Sequence, residues 1–138
     1  PHPRLRLRKE FFAMNILAFE SSCDETAVAA IDSAICKTTV ENLELIPCGE
    51  TPSNPAELLS SKRYLMLIEE LAKRYDLVVI NTPSLALAAD AISACRAASQ
   101  IAMVLESKKH SIEAIKNGAA QLRMSNADAH VSVVLNKC

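Results

Sequence analysis

The stretch YDLVVINTPSLALAADA, residues 75–91, joins an apolar run to a polar turn and then to a segment with helical spacing. Residues 77–82 have the β-branched composition of a buried strand, and residues 85–98 repeat apolar positions as a helix does. The order then recurs, with a strand predicted over 101–106, a helix over 108–124 and a strand over 131–136. This alternation predicts an α/β fold, a mostly parallel sheet with helices on both faces.

The first half of the chain also predicts strands and helices. Residues 15–20 and 26–31 predict two strands of a β-hairpin around the polar tip SSCDE, and residues 43–48 predict a further strand. A helix should begin after Asn54, with Pro55 at its first position and Glu57 completing a capping box. In residues 61–76 we expect one apolar helix face, formed by Leu65, Ile68, Leu71, Ala72 and Tyr75. The other face should carry charged pairs four residues apart, Glu69 with Lys73 and Glu70 with Arg74.

Composition restricts the classes of function. The chain has 138 residues, half of them apolar, and a formal net charge of −1, so we expect one folded core and no nucleic-acid partner. No apolar run reaches the roughly 20 residues that a transmembrane helix needs. Five cysteines without a C-x-x-C pair and three dispersed histidines predict reduced thiols, a cytoplasmic location and no metal site. Residues 1–13 are expected to be a leader or tag that precedes a start at Met14.

Ligands of such sheets bind beyond the carboxyl ends of the strands, which here means residues 81–84, 106–108 and 136–138. Asn81 stands where a nucleotide-hydrolysing domain would hold a carboxylate close to Mg²⁺. An asparagine at this position has two compatible interpretations. The strand end has been released from metal binding, or Asn81 caps the turn before Pro83.

Three blocks of this sequence, TTVENLELIPCGETPSNPAELLSS (38–61), YDLVVINTPSLALAADA (75–91) and VSVVLN (131–136), resemble the carboxyl half of the bacterial tyrosine kinases that control capsular and exopolysaccharide synthesis. Those kinases are P-loop ATPases of the MinD/ParA type, so the resemblance implies a partial three-layer P-loop fold over residues 33–138. It also implies Walker B-like positions at Asn81, Thr82, Pro83 and Asp90, an adenine-proximal Asn136, and ATP and Mg²⁺ as cofactors by resemblance only. Asn81 replaces the family's aspartate, and Ser84 its second proline.

The phosphate loop of that family is missing from these residues. No G-x-x-x-x-G-K-[ST] occurs, and Gly49 and Gly118 are the two glycines of the chain. We therefore predict no catalytic residue and expect a kinase-like domain that lacks the P-loop half and is inactive alone. Such a domain would act as an interaction module, either as a homo-oligomer or with a protein partner that completes the sheet.

Residues 14–32, MNILAFESSCDETAVAAID, resemble the opening of the tRNA threonylcarbamoyladenosine transferase family, whose fold is that of the actin and sugar-kinase ATPases. The resemblance implies a hairpin whose tip approaches a nucleotide, formed by Ser22, Cys23, Asp24, Glu25 and Thr26. The chain is then a composite joined near residue 33. The alternative function is that of a fragment related to this tRNA-modifying enzyme.

Overall fold

A computed structural model of the chain describes residues 15–20, 31–47, 53–85, 89–107 and 109–137. Strands and helices alternate along most of the described chain. Their order is β1 (Ile16–Glu20), α1 (Ile31–Ala34), β2 (Cys36–Lys37), β3 (Leu43–Ile46), α2 (Pro55–Leu59), α3 (Lys62–Arg74), β4 (Leu77–Asn81), α4 (Ala89–Ala94), a 3₁₀ turn (Cys95–Ala97), β5 (Gln100–Glu106), α5 (Ile112–Ser125) and β6 (His130–Asn136). The predicted α/β class with a mostly parallel sheet is confirmed.

The chain forms two compact units, the first comprising Pro1–Ser53 and Met66–Asn81 and the second Asn54–Leu65 and Thr82–Cys138. No helix among the described residues has the length and apolar character needed to cross a membrane.

The first unit contains a four-stranded sheet in the order β2-β3-β1-β4. β1 lies parallel to β3 on one side and parallel to β4 on the other, and β2 is antiparallel to β3. Leu17, at the centre of β1, has none of its surface exposed.

The hairpin predicted for residues 14–32 needs correction in the partners of its first strand, which is β1. β1 has parallel neighbours on both edges, β3 on one and β4 on the other, and no antiparallel partner among the described strands. Ile31 lies in α1 instead, and residues 21–30 are outside the described part of the chain. The physical reason is that a short apolar strand gains more from two long-range partners, which bury it on both sides, than from one local partner.

The second unit contains β5 and β6, which are parallel and in register from Gln100 with His130 to Glu106 with Asn136. One face of β5 packs on α5. The buried cluster there consists of Ile101, Met103, Leu105, Leu122 and Ala129. Leu122, at 1% exposure, lies at the middle of this core.

Two serines divide the long helix that the sequence predicts after Asn54. The Ser60 hydroxyl donates to the Ala56 carbonyl at 2.7 Å, and the Ser61 hydroxyl accepts from the backbone N–H of Tyr64 at 3.2 Å. Serine side chains of this kind offer the backbone an alternative to helix hydrogen bonds, so α2 ends and α3 begins at this point. The capping box is also absent: the Asn54 side-chain amide donates to the Glu57 carboxylate at 2.9 Å.

The buried face of α3 is shifted from the predicted one. Tyr64, Leu67, Ile68 and Leu71 are buried, whereas Ala72 is exposed. Since an α-helix has 3.6 residues per turn, positions 64, 67, 68 and 71 form a single stripe.

One of the two ion pairs predicted on the charged face of α3 is present. The Arg74 guanidinium lies 3.4 Å from the Glu70 carboxylate, as predicted. Lys73 contacts Glu70 at 3.4 Å rather than the predicted Glu69.

The two last helices are shorter than predicted. Residues 89–97 form α4 and the 3₁₀ turn, and residues 86–88 of the predicted helix lie outside the described chain. α5 begins after Ser111, whose hydroxyl accepts from the Ala114 N–H at 3.1 Å. Ile112, in the first turn of α5, is 72% exposed.

Gly118 lies in the middle of α5 without a conformational need for glycine. A methyl group at this position would lie 3.6 Å from the Met103 sulfur and 3.8 Å from a Leu85 methyl, both ordinary contacts. We expect Gly118→Ala to raise the free energy of unfolding of the second unit by about 0.5–1 kcal/mol, since alanine has the higher helix propensity. The reverse change at the exposed Ala120 should lower it by a similar amount, and both are measured by amide exchange.

Candidate functional site

The carboxyl ends of β1 and β4 meet at one edge of the first unit's sheet. Glu20 and Asn81 are in register there, because the two strands are parallel. Asn81 is exposed at the end of β4, the half-buried Thr82 and the exposed Pro83 follow without regular structure, and Asp90 is half-buried in the first turn of α4. Asn81 is therefore at the strand end that the sequence predicts, and its Walker B-like role stays a prediction.

The side-chain amide of Asn81 does not match the ligands that Mg²⁺ prefers. Magnesium is held in nucleotide sites by carboxylates and phosphates in a near-octahedral shell, and a neutral amide supplies no charge. The described part of the chain contains no cluster of three histidine, cysteine or acidic side chains that could hold a metal ion. The side chain of Asn81 therefore does not fit the Mg²⁺ position that the kinase resemblance implies.

A charged cluster lies at the carboxyl ends of β5 and β6 in the second unit. The Glu106 carboxylate contacts the Lys109 ammonium at 2.8 Å and the Lys137 ammonium at 3.2 Å. Next to it, the Asn136 side-chain oxygen accepts from the Lys137 N–H at 2.9 Å, and the Asn136 carbonyl accepts from the Ser107 N–H at 3.0 Å. Asn136 is thus fixed by backbone contacts, and its predicted nucleotide role stays a prediction.

The lysines hold the Glu106 pKa below its ordinary value of 4.5, first through the hydrogen bond from Lys109 and then through that from Lys137. A carboxyl group with a lower pKa in the folded than in the unfolded chain stabilises the fold above its unfolded pKa. That contribution is lost as pH falls through the lowered pKa. A carbon-detected NMR titration should therefore give Glu106 a midpoint below 4.5.

Substitution of Lys137 tests whether the lysines lower the Glu106 pKa. Lys137→Met should raise the Glu106 midpoint, because one of its two hydrogen bonds is lost. Lys73→Met removes a lysine that pairs with Glu70 and should leave the midpoint unchanged. An unchanged midpoint in Lys137→Met would contradict the assignment.

A cavity of about 430 Å³ opens at the opposite edge of the first unit's sheet, where β1, β3 and β4 begin. Its polar lining includes Asn15, Lys37, Glu44, Arg74 and Tyr75. No sequence pattern predicted it, because these residues are distant in the chain.

Two polar side chains that line this cavity, Tyr75 and Arg74, already pair with acidic side chains. The Tyr75 hydroxyl donates to the Glu44 carboxylate, and burial, followed by this hydrogen bond, raises the pKa of Tyr75 to about 12. The Arg74 guanidinium contacts the Asp32 carboxylate at 2.7 Å, which raises the pKa of Arg74. Tyr75 is thus a structural hydrogen-bond donor, with no sign of an activated phenol.

Tyr64 is likewise structural. It is 5% exposed, and its hydroxyl donates to the Ala94 carbonyl at 3.1 Å. Burial, then the proximity of Cys95, raises the pKa of Tyr64 above its ordinary value. Among the described residues Cys36 and Cys95 are free thiols, and burial raises the pKa of Cys95.

The predicted hairpin tip, formed by Ser22, Cys23, Asp24, Glu25 and Thr26, lies outside the described residues. Its proposed approach to a nucleotide therefore stays a prediction.

Curated proteins similar in sequence to this chain include tyrosine kinases of bacteria. The putative tyrosine-protein kinase CapB of Staphylococcus aureus is 32% identical over 104 residues, which are 75% of this chain and 45% of CapB. The tyrosine-protein kinase CpsD of Streptococcus pneumoniae serotype 4 is 31% identical over 115 residues, or 81% of this chain and 49% of CpsD. The chain thus spans less than half the length of these curated relatives.

The fold is shared with solved structures. The chimerical protein CapA2B2 matches with a TM-score of 0.79 at 20% sequence identity, over 94% of this chain and 65% of that one. No protein-family model matches the chain. The structural likeness shows the P-loop NTPase-like fold, and the sequence relatives show the kinship.

Proposed function

This chain is related to the bacterial tyrosine kinases of capsular polysaccharide synthesis, and we propose that it serves that system as a kinase-like interaction module without phosphotransferase activity of its own. The proposal keeps the cytoplasmic location that the dispersed cysteines, without a C-x-x-C pair, predict.

The observation that carries the proposal is Asn81 at the carboxyl end of β4. Phosphoryl transfer depends on positioning and on charge stabilisation by a phosphate loop, a lysine and Mg²⁺. Asn81 brings no charge to that strand end, and these 138 residues contain no G-x-x-x-x-G-K-[ST]. Asn81 thus supplies no carboxylate for the metal, and these residues contain no Walker A backbone cradle for the phosphates.

Exposed apolar side chains support the interaction role. Leu77 and Val79 on β4 are 41% and 45% exposed, and Val104 on β5 is 61% exposed. Strands of a parallel sheet are ordinarily covered on both faces, so such residues indicate surface that another protein covers. A homo-oligomer or a protein partner that completes a sheet fits this chemistry.

Transfer of labelled phosphate from ATP tests the absence of activity. The purified chain and Asn81→Asp are incubated with Mg²⁺ and γ-labelled ATP, and incorporation into the chain and into a tyrosine-containing peptide is measured. We expect none in either protein, because the carboxylate alone does not restore a phosphate loop. Incorporation that Tyr75→Phe or Tyr64→Phe abolishes would overturn the proposal.

The composite origin of the chain and its alternative function rest on the motif SSCDET, residues 21–26. Under that alternative, a fragment related to the tRNA-modifying transferase, Asp24→Ala would weaken binding of an adenylate while Asn81→Asp would not. Under the proposed function neither substitution alters adenylate binding. The two functions are thus separable by one pair of variants.

A further inference from the structure

Asn117 and Gly118 form the one Asn-Gly sequence of the chain, and they lie in the middle of α5. Asn117 is exposed, and Gly118 is half-buried. Asparagine is among the residues that degrade on heating, because its side-chain amide reacts with the next backbone nitrogen. A following glycine makes this reaction fastest, since it has no Cβ to hinder the approach.

The reaction is a deamidation through a five-membered ring. The Gly118 backbone nitrogen attacks the side-chain carbonyl carbon of Asn117, a new C–N bond forms, and the side-chain nitrogen leaves as ammonia with the Gly118 proton. Water then opens one of the two C–N bonds of the resulting succinimide. One opening gives aspartate, and the other gives isoaspartate, in which the main chain runs through the side-chain carbon.

The geometry of α5 blocks the ring closure. In an α-helix each N–H donates to the carbonyl four residues earlier, so the Gly118 nitrogen is directed at Ala114. The Asn117 side chain extends outwards from the helix, where it is exposed to solvent. The helix must therefore open around residues 117–118 before the nitrogen can reach the side-chain carbonyl.

Contacts at both ends of α5 and on its buried face keep it closed. Ser111 caps the first turn by accepting from the Ala114 N–H at 3.1 Å, and Leu122 is 1% exposed in the core against β5. At the last turn, Asn126 donates to three carbonyls outside the helix. Gly118 itself acts in the opposite direction, because glycine has a low helix propensity.

We propose that Asn117 is a deamidation site whose rate is set by the opening of α5. The isoaspartate product adds a carbon to the main chain, and the 13-atom hydrogen-bonded rings of a helix do not accommodate it. A chain modified in this way cannot close α5 over β5 again. The aspartate product keeps an ordinary main chain at an exposed position and refolds.

This inference is independent of the proposed function, because it uses neither Asn81 nor a nucleotide. Opening of the second unit thus has a chemical consequence, and each opening exposes the chain to an irreversible loss of its native packing.

The mass of the intact chain, followed over time in buffer and in guanidinium chloride at the same pH and temperature, tests the dependence on opening. We expect the folded chain to deamidate about a hundredfold more slowly, or slower still, because local opening of a packed helix is rare. Tandem mass spectrometry of peptides should place the fast change in denaturant at Asn117. Asn117→Gln should abolish it, because glutamine would have to close a six-membered ring.

Two substitutions on α5 test whether packing on β5 sets the rate. Leu122→Ala should speed deamidation in buffer by about tenfold or more, because it removes buried surface and favours opening. Met124→Ala is the matched control. Its side chain is 87% exposed, so the rate should stay unchanged.

The products test the structural consequence. Chromatography separates the aspartate and isoaspartate forms, and amide exchange is then measured in β5 and β6. The isoaspartate form should lose protection there, and the aspartate form should keep it. Equal rates in buffer and denaturant overturn the proposal. So does a fast phase that survives Asn117→Gln, a rate that Leu122→Ala leaves unchanged, or an isoaspartate form with full protection.

Discussion

Replacing Leu122 with alanine should lower the free energy of unfolding of the second unit by about 3 kcal/mol. Leu122 is 1% exposed and belongs to the cluster that holds α5 on β5. Truncation removes buried methyl groups and leaves a cavity that the surrounding Met103 and Leu105 fill only in part. The measurement is amide exchange of β5 and β6, which reports the opening of this unit without assuming that the whole chain unfolds in one step.

Met124, two residues further along α5, supplies the control. Its side chain is 87% exposed, so Met124→Ala removes no buried surface and should change the free energy by less than about 0.5 kcal/mol. Equal effects of Leu122→Ala and Met124→Ala would show that α5 does not pack on β5 as described.

The second large effect is expected at Asn126, where α5 ends. Its side-chain amide donates to the carbonyls of Cys95 at 3.1 Å, Arg96 at 3.3 Å and Ala98 at 2.8 Å. Asn126→Asp replaces this donor with a carboxylate that faces the same three oxygens. We expect a loss of about 3 kcal/mol in the free energy of unfolding, because half-buried carbonyls lose their partner and meet a negative charge.

Asn117 on the exposed face of the same helix gives the matched change. Asn117→Asp alters the same atoms in solvent and should shift the free energy by less than about 0.5 kcal/mol. The loss in Asn126→Asp should also shrink as pH falls and the new carboxyl group takes up a proton. A pH-independent loss would argue against repulsion between the carboxylate and the carbonyls.

The alternation of strands and helices was predictable because it depends on local apolar spacing. Residues 77–82 and 131–136 read as strands from composition alone, and β4 and β6 lie within one residue of those bounds. Asn54 and Pro55 marked the start of α2 correctly for the same reason. Patterns of this kind depend on residues that are close together in the sequence.

Long-range pairing was not predictable in the same way. Residues 15–20 and 26–31 suggested a hairpin because they are close in sequence, whereas β1 pairs with β3 and β4, about 27 and 61 residues further along by their register. The break between α2 and α3 was missed because two serines can either continue a helix or bond its backbone.

The candidate site shows the same division. Asn81 could be placed at a strand end from the sequence, because the strand's end is a local feature. The contact between Glu106 and Lys137 joins residues 31 apart, and that between Tyr75 and Glu44 also spans 31 residues. Only the folded chain brings these groups together, so no spacing in the sequence signals them.

A kinase-like fold that persists without a nucleotide site, as we propose for this chain, binds no nucleotide, and calorimetric titration measures that binding. ATP and ADP are titrated, with and without Mg²⁺, into the chain and into Asn81→Asp. We expect no heat of binding in either protein at micromolar nucleotide. Micromolar binding that requires Mg²⁺, and that strengthens in Asn81→Asp, would contradict it.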